Sequence, residues 1–395
     1  MKITKLIEKL GSMEPNGKPF FSIYINAEAG QNGRDIYPIW LKTKLSDEEQ
    51  KYKDDDEELG LFTALTERIN NFVENEADPS ANGIAIFASM GEGDYFEVVQ
   101  LDVPFPESRF HSSDRPHIFP LVRAVHENPR YAVLWADKNK ADIYVFGGET
   151  RIRSDVDAQS KVESIENEVT SGTSAGGWSQ QRFQRRRENF ALQHAKEVVA
   201  ELEEVMKKYS VEHLIIAGDE ETILPVIKPE LSKPLEDKLI GSVSIADYQS
   251  EDEIREKTLD VVTTEMATLQ MKEVERVNDA TKAAAKLGTL GVEDTLRALA
   301  NGQVEELVIA SNIDSIDYSK KKIKKILNEY EPGDDTAPTD ATVNVSDAAE
   351  IADQLVMRAI NTAAKIMFVK DDSLLEDAGG VGSILRFNMN AQAGG

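Results

Sequence analysis

The stretch YAVLWADKNKADIYVFGG, Tyr131–Gly148, decides the architecture of the chain. Apolar and aromatic residues fill Tyr131–Asp137 and Asp142–Gly148, and the polar KNKA between them is short enough to fold one run back on the other. The segment therefore predicts a β-hairpin. Further along, HLIIAG (His213–Gly218) is a short apolar run closed by Gly218 and Asp219, the pattern of a buried strand. A long polar segment and a helix over Ser179–Tyr209 separate it from the hairpin, and helices carrying Leu224–Ile227 and Ile254–Thr268 follow. Hairpin, helix, apolar strand and helix predict an α/β layer with a mixed sheet over residues 129–272.

The flanks obey the same logic. Residues 1–128 open with a helix that places Ile3, Leu6, Ile7 and Leu10 on one side. The strand PFFSIYIN (Pro19–Asn26) comes next, then an acidic helical stretch over Asp47–Glu76, with DDDEE at Asp54–Glu58 read as a solvated face. GIAIFAS (Gly83–Ser89), a turn at Gly91–Asp94 and YFEVVQLDV (Tyr95–Val103) make a strand-turn-strand unit. The proline-bearing VPFPESRFHSSDRPHIFPLV then leaves the sheet. In residues 273–395, helices at Ala280–Leu287 and Val292–Asn301 lead into ELVIASN (Glu306–Asn312), and a helix at Ser346–Thr362 leads into KIMFVK (Lys365–Lys370). This alternation predicts a small α/β/α sandwich, interrupted by a flexible insertion at Glu331–Thr342. The expected fold is thus α/β in three domains, 1–128, 129–272 and 273–395, each a mixed sheet with packed helices.

Composition narrows the chemistry. Cysteine is absent, which removes disulfides, thiolate nucleophiles and cysteine-based zinc sites. The five histidines show no HExxH-type spacing, so neither a metal nor a cofactor is expected. Asp137 and Asp142 flank the hairpin turn and are expected to shape it rather than to hold a metal. GGVGS at Gly379–Ser383 lacks the second strand of a dinucleotide-binding unit and is expected to be a tight turn. No apolar run is long enough to span a bilayer and the N-terminus lacks a signal peptide's continuous apolar stretch, so the expected location is cytoplasmic, without a membrane partner. With 71 acidic against 45 basic residues, the net charge of −26 opposes phosphate-bearing partners on average.

One segment breaks that average. Between Glu168 and Glu188 there is no acidic residue, and the interval reads VTSGTSAGGWSQQRFQRRR. Gly172, Gly176 and Gly177 among small hydroxyl residues predict a mobile loop. Ser179 can cap the helix that follows. On that helix Arg182, Arg185, Arg186 and Gln193 fall mainly on one side, whereas Phe183, Phe190 and His194 follow another. Arginines beside a helix N-terminus suit phosphate, because guanidinium forks pair bidentately with its oxygens. The same helix could instead be a solvated basic element, or one that pairs with Glu201, Glu203 and Glu204 of a neighbouring chain.

Within the superfamily of archaeal and eukaryotic class-one release factors and Pelota, the string GGWSQQRFQRRRE resembles the loop and helix of the release factors, in which GGQ is followed by a serine and an arginine-rich helix. The hairpin before it and LIIAG after it are similar to that superfamily's middle domain. The closing GGVGSILRF (Gly379–Phe387) is similar to the end of its third domain. The resemblance covers residues 130–390. The first domain has no NIKS-type codon-reading motif, and RPHIFPLV (Arg115–Val122) is similar to the bacterial and archaeal relatives, which include Balon-type ribosome hibernation factors and ribosome-rescue members.

The resemblance implies a ribosome-binding translation factor. Gly176, Gly177, Trp178, Ser179, Gln180, Arg182, Arg185, Arg186 and Arg187 would contact ribosomal or transfer RNA, and a translational GTPase of the elongation-factor type would be a companion. Trp178 stands where the release factors carry their glutamine. That glutamine positions a water against the ester joining peptide to tRNA, a contribution of placement rather than of acid-base chemistry. An indole does not orient water as an amide does, but it stacks on a nucleobase with about 1–3 kcal/mol. Three readings follow: a non-catalytic factor occupying the A site of idle or stalled ribosomes, a rescue hydrolase of peptidyl-tRNA with Gln180 as its catalytic residue, and a small-molecule α/β enzyme whose arginines bind a phosphorylated substrate.

Overall fold

The computed structural model describes residues 3–15, 17–30, 36–90, 95–101, 103–137, 140–147, 161–166, 179–245, 249–319, 321–323, 325–326 and 348–388, with side chains of 161–191 and 252 outside the described set. Among the described residues the chain is mixed α/β with three sheets. It divides into two compact units, one of Met1–Glu127 with Leu269–Gly395 and the other of Asn128–Gly148 with Asp155–Thr268.

The first unit begins with α1 (Ile3–Gly11), β1 (Phe20–Asn26), α2 (Tyr37–Glu49), α3 (Asp56–Asn75), β2 (Gly83–Ser89), β3 (Phe96–Leu101), β4 (Arg109–Ser113) and α4 (Phe119–Glu127). The strands form an antiparallel sheet in the order β3-β2-β1-β4. Alternation along β1 covers both faces: Phe21, Ile23 and Ile25 pack with Leu41 and Leu45 of α2 and Phe62, Ile69 and Phe72 of α3, while Phe20 and Tyr24 join the core built with α1 and α4. The DDDEE run is more than a solvated face. Asp55 caps α3, its carboxylate accepting from the amides of Glu57 and Glu58 at 3.0 and 3.1 Å, and the acids in the first turn match the helix dipole.

Arg109–Ser113 does not leave the sheet as expected. It returns as β4, paired antiparallel with β1 on one side only. The flanking prolines signalled a loop, yet an edge strand tolerates them because its outer groups need no ladder partner.

The second unit contains β5 (Tyr131–Ala136), β6 (Lys140–Phe146), β7 (Lys161–Glu166), α5 (Ser179–Lys208), β8 (His213–Gly218), α6 (Leu224–Ile227), α7 (Lys233–Glu236), β9 (Leu239–Ser244) and most of α8 (Glu251–Lys282). Its sheet runs β7-β6-β5-β8-β9, with β5 antiparallel to β6 and parallel to β8. β7 and β9, too polar to declare themselves in the sequence, complete the edges. Both faces are covered. Ala132, Leu134, Leu214 and Ile216 meet α5 and α6, and Tyr131, Val133, Trp135 and Ile215 meet Ile254 and Val262 of α8.

The first unit resumes with the end of α8, then β10 (Gly288–Leu290), α9 (Val292–Ala300), β11 (Val304–Ala310), α10 (Ala348–Asn361), β12 (Lys365–Val369) and β13 (Val381–Leu385). The sheet order is β10-β13-β11-β12, with β11 and β12 parallel. Leu307 and Ile309 face α9 and α10, while Val308 and Ala310 face Val274 and Val277 of α8. Helices on both faces make this the expected three-layer arrangement.

The helix expected at Ala280–Leu287 is not a separate element; only Ala280–Lys282 are helical, as the end of α8. α8 ends at Lys282 and the chain reverses through Lys286, whose φ is +47°. A Cβ on Gly288 would lie 2.6 to 2.9 Å from Thr281 and the Val277 carbonyl, so the strand enters directly against the last turn of α8. Tertiary packing overrides the helix propensity of Ala283–Ala285. The tight turn expected at Gly379–Ser383 is present, with Gly379 and Gly380 at φ +59° and +79° before β13. A Cβ on Gly380 would meet the Ser315 carbonyl oxygen at 2.3 Å. Gly380→Ala should therefore lower the unfolding free energy by about 2 kcal/mol or more; an unchanged denaturant midpoint would contradict this geometry.

The two sheets of the first unit share one core, and a polar network runs through their seam. Asp353 on α10 accepts from the amides of Ile118 and Phe119 at 2.9 and 2.8 Å through Oδ1, so a side chain more than two hundred residues away caps α4. Its Oδ2 bonds His117 Nδ1. Ser22 Oγ accepts from the His117 amide at 2.9 Å, and the Tyr24 hydroxyl donates to the His117 carbonyl. Ser22, Tyr24, His117 and Asp353 are all buried. Burial of Tyr24, with the Asp353 charge beside it, holds that hydroxyl well above its ordinary pKa, so it stays a donor.

Candidate functional site

The acid-free segment ends on α5. Gly176, Gly177 and Trp178 lie outside the described residues. Ser179 is the first residue of α5, and Gln180, Arg182, Arg185, Arg186 and Arg187 occupy its first turns, with side chains outside the described set. From Leu192 onward the helix is described in full. Gln193 is exposed and His194 buried, which are the first described positions of the two helix faces that the spacing separates.

A buried stripe of Ala195, Val198, Val199, Leu202, Val205 and Met206 fixes the second half of α5 on the sheet. The helix has 30 residues, about 45 Å at about 1.5 Å per residue. β8, which it covers, has six residues, about 20 Å at about 3.3 Å per residue. Among the described side chains the stripe runs from His194 to Met206. The exposed surface of the second half is mixed, Lys196, Lys207 and Lys208 against Glu197, Glu203 and Glu204, whereas the first turns carry arginines and no acid before Glu188.

The strands explain where the loop is anchored. Glu166, which ends β7, pairs with Lys140 beside the β5–β6 turn, at the same end of the sheet as Ala136 and Gly218, the last residues of the parallel pair β5 and β8. The carboxyl ends of parallel strands are where α/β sheets present their working loops. Asp137 orders the hairpin turn, its Oδ1 accepting from the Lys140 amide at 2.7 Å. Asp142 is fully buried, with Lys140 Nζ 3.2 Å from its carboxylate. Asp219 closes β8 by accepting from the Thr222 amide at 2.7 Å. Among the described residues no group of three or more histidines and carboxylates is gathered as a metal site.

Two histidines bracket this layer. Burial pushes both His194 and His213 below the ordinary histidine value of 6.5, with Glu197 and Asp137 opposing at the first and Glu212 and Glu265 opposing at the second. Above 6.5 both are neutral whether folded or unfolded. Below it the unfolded chain takes up protons that the folded chain resists. Stability should therefore be fully present near pH 7.5 and fall as pH drops through 6.5 towards 5.5. Replacing both with glutamine should flatten that fall in urea titrations; an equally steep fall in the variant would contradict it.

Sequence reasoning could not see the seam of the first unit, since His117 and Asp353 carry no spacing signal. The motif RPHIFPLV contributes His117, Ile118 and Phe119 to it.

The profile of Bacterial archaeo-eukaryotic release factor family 10 matches residues 116–262, a span that contains the acid-free segment. The chain is similar to peptide chain release factor subunit 1 of Pyrococcus abyssi, 24% identical across 98% of both chains. It is similar to eukaryotic peptide chain release factor subunit 1 of Saccharomyces cerevisiae, 26% identical over 54% of both. Among solved structures it is similar to an archaeal translation termination factor, 17% identical across 98% of this chain and 97% of that one with a TM-score of 0.27. Pelota of Archaeoglobus fulgidus is 14% identical, covering 77% and 80%, with a TM-score of 0.32.

Proposed function

We propose that the chain, which matches the release factor family model over residues 116–262 and is similar to archaeal peptide chain release factor subunit 1 along its length, is a ribosome-binding translation factor of the class-one release factor and Pelota superfamily and of the hibernation kind. It occupies the A site of idle or stalled ribosomes in the cytoplasm, and the loop ahead of α5, with Gly176, Gly177 and Trp178, reaches towards the peptidyl transferase centre. Arg182, Arg185, Arg186 and Arg187 then bind RNA phosphate behind the loop. Residues 1–128, 129–272 and 273–395 act as three working modules, the last one meeting an elongation-factor-type GTPase. The acidic charge of the chain as a whole suits protein contacts and confines RNA binding to the arginine-rich, acid-free segment 169–187.

The observation that carries this reading is Trp178. The glycine pair, the serine and the arginine-rich helix are present, and only the water-positioning glutamine is replaced. A loop with those parts can enter the site and stack on a base without delivering water to the ester.

The second reading, a rescue hydrolase, rests on Gln180, two residues beyond Trp178. Gln180 is the second residue of α5, on the helix rather than in the loop before it, which favours occupancy over hydrolysis. The two readings part in one assay. Purified protein is added to stalled ribosome–peptidyl-tRNA complexes and freed peptide is measured. Occupancy predicts no release above background by the natural chain. Release that Gln180→Ala abolishes would establish the hydrolase instead.

A further inference from the structure

A cleft of about 380 Å³ lies in the first unit, outside the segment assigned to RNA. It opens at the carboxyl ends of β11 and β12, the parallel pair of their sheet, where ligands of α/β sheets tend to lodge. Register brings two residues to that edge. Ala310 pairs with Val369, so Ser311 and Lys370 leave the sheet side by side, and the Ser311 amide donates to the Val369 carbonyl at 2.9 Å. From α4, Arg123 reaches over the same opening and its Nη1 donates to the Ser311 carbonyl at 2.8 Å.

Three groups at this edge have donors to offer. The Arg123 side chain is 17% exposed, and among the described residues it makes that one hydrogen bond and a loose ion pair, Nε lying 4.0 Å from Glu127. A guanidinium carries five donors. Ser311 lines the cleft and is 8% exposed, and its buried Oγ has no hydrogen-bond partner among the described residues. A buried hydroxyl left so is unfavourable by about 1–3 kcal/mol. Among the described residues no carboxylate lies within ion-pair distance of Lys370 Nζ. Guanidinium, hydroxyl and ammonium converging on one space form an anion site.

Charge selects the anion. The walls balance, Arg109, Arg123 and Lys370 against Glu107, Glu127 and Asp314, and Arg109 is already paired with Glu107. A polyphosphate would meet three carboxylates, whereas a single negative charge takes the donors and leaves the acids at a distance. The floor is apolar, from Tyr24, Phe105 and Phe119.

We propose that this cleft binds a small organic carboxylate, seated on Arg123, Ser311 and Lys370 with its apolar part on the aromatic floor. The assignment is independent of ribosome binding, and it is tested on the full chain without ribosomes. Ligand-observed NMR is run with the N-acetylated amino acids, their C-terminal amides and inorganic phosphate. At least one carboxylate should bind at millimolar concentration or below while its matched amide and phosphate do not. Ser311→Ala and Lys370→Met should each weaken that binding about tenfold. Ser311→Ala should leave the thermal midpoint unchanged or raised, since it removes an unsatisfied buried hydroxyl. Absence of binding by every carboxylate, equal binding of an amide, preference for phosphate, or a lowered midpoint for Ser311→Ala would each overturn the proposal.

Discussion

Asp353→Ala should destabilise the first unit by roughly 3–5 kcal/mol, the size expected when one partner of a buried, hydrogen-bonded charge is removed. The single carboxylate satisfies the amides of Ile118 and Phe119 and holds the His117 ring, and all of these groups are buried. Without it, two amide donors at the start of α4 and an imidazole nitrogen lose their acceptor while the seam stays closed to water. Asp353→Asn should fall between, because an amide oxygen still accepts from the two backbone groups. Denaturant unfolding of the two variants reads the difference directly. Equal stability of natural chain and alanine variant would mean that the seam does not depend on this carboxylate.

The second large effect concerns the arginines of α5. If Arg182, Arg185, Arg186 and Arg187 each meet a phosphate, ribosome affinity should fall with salt at a logarithmic slope of about 3, or roughly twentyfold or more between 100 and 300 mM. Converting all four to glutamine should flatten that slope to near zero and weaken binding at 100 mM by on the order of a thousandfold. The comparison is made by sedimentation with ribosomes. A flat salt response of the natural chain would remove the phosphate role, and failure to sediment at all would remove both ribosomal readings.

Much of this was readable in advance, for a local reason. Tyr131–Gly148 and His213–Gly218 announce themselves because strand periodicity and turn chemistry act within a few residues. The paired alternation in β11 and β12 is of the same kind. β4 was missed because its prolines speak for a loop while its pairing with β1 is set by residues nearly a hundred positions away. The turn after α8 was missed because Ala283–Ala285 favour a helix that Gly288, packed on Thr281, prevents. The seam and the cleft are harder still, since His117 and Asp353, or Arg123, Ser311 and Lys370, have no relation until the sheets are folded. The acid-free segment is the reverse case. Its signal is compositional, nineteen residues without an acid in a chain of net charge −26, and it needs no tertiary information.

The most direct test of the central claim is to put a photoreactive benzoylphenylalanine in place of Trp178, bind the chain to ribosomes and map the crosslinked RNA. Occupancy of the A site predicts crosslinks to the large-subunit RNA of the peptidyl transferase centre, lost when the four arginines are replaced. Ribosome binding with crosslinks confined to any other part of the ribosome would contradict it.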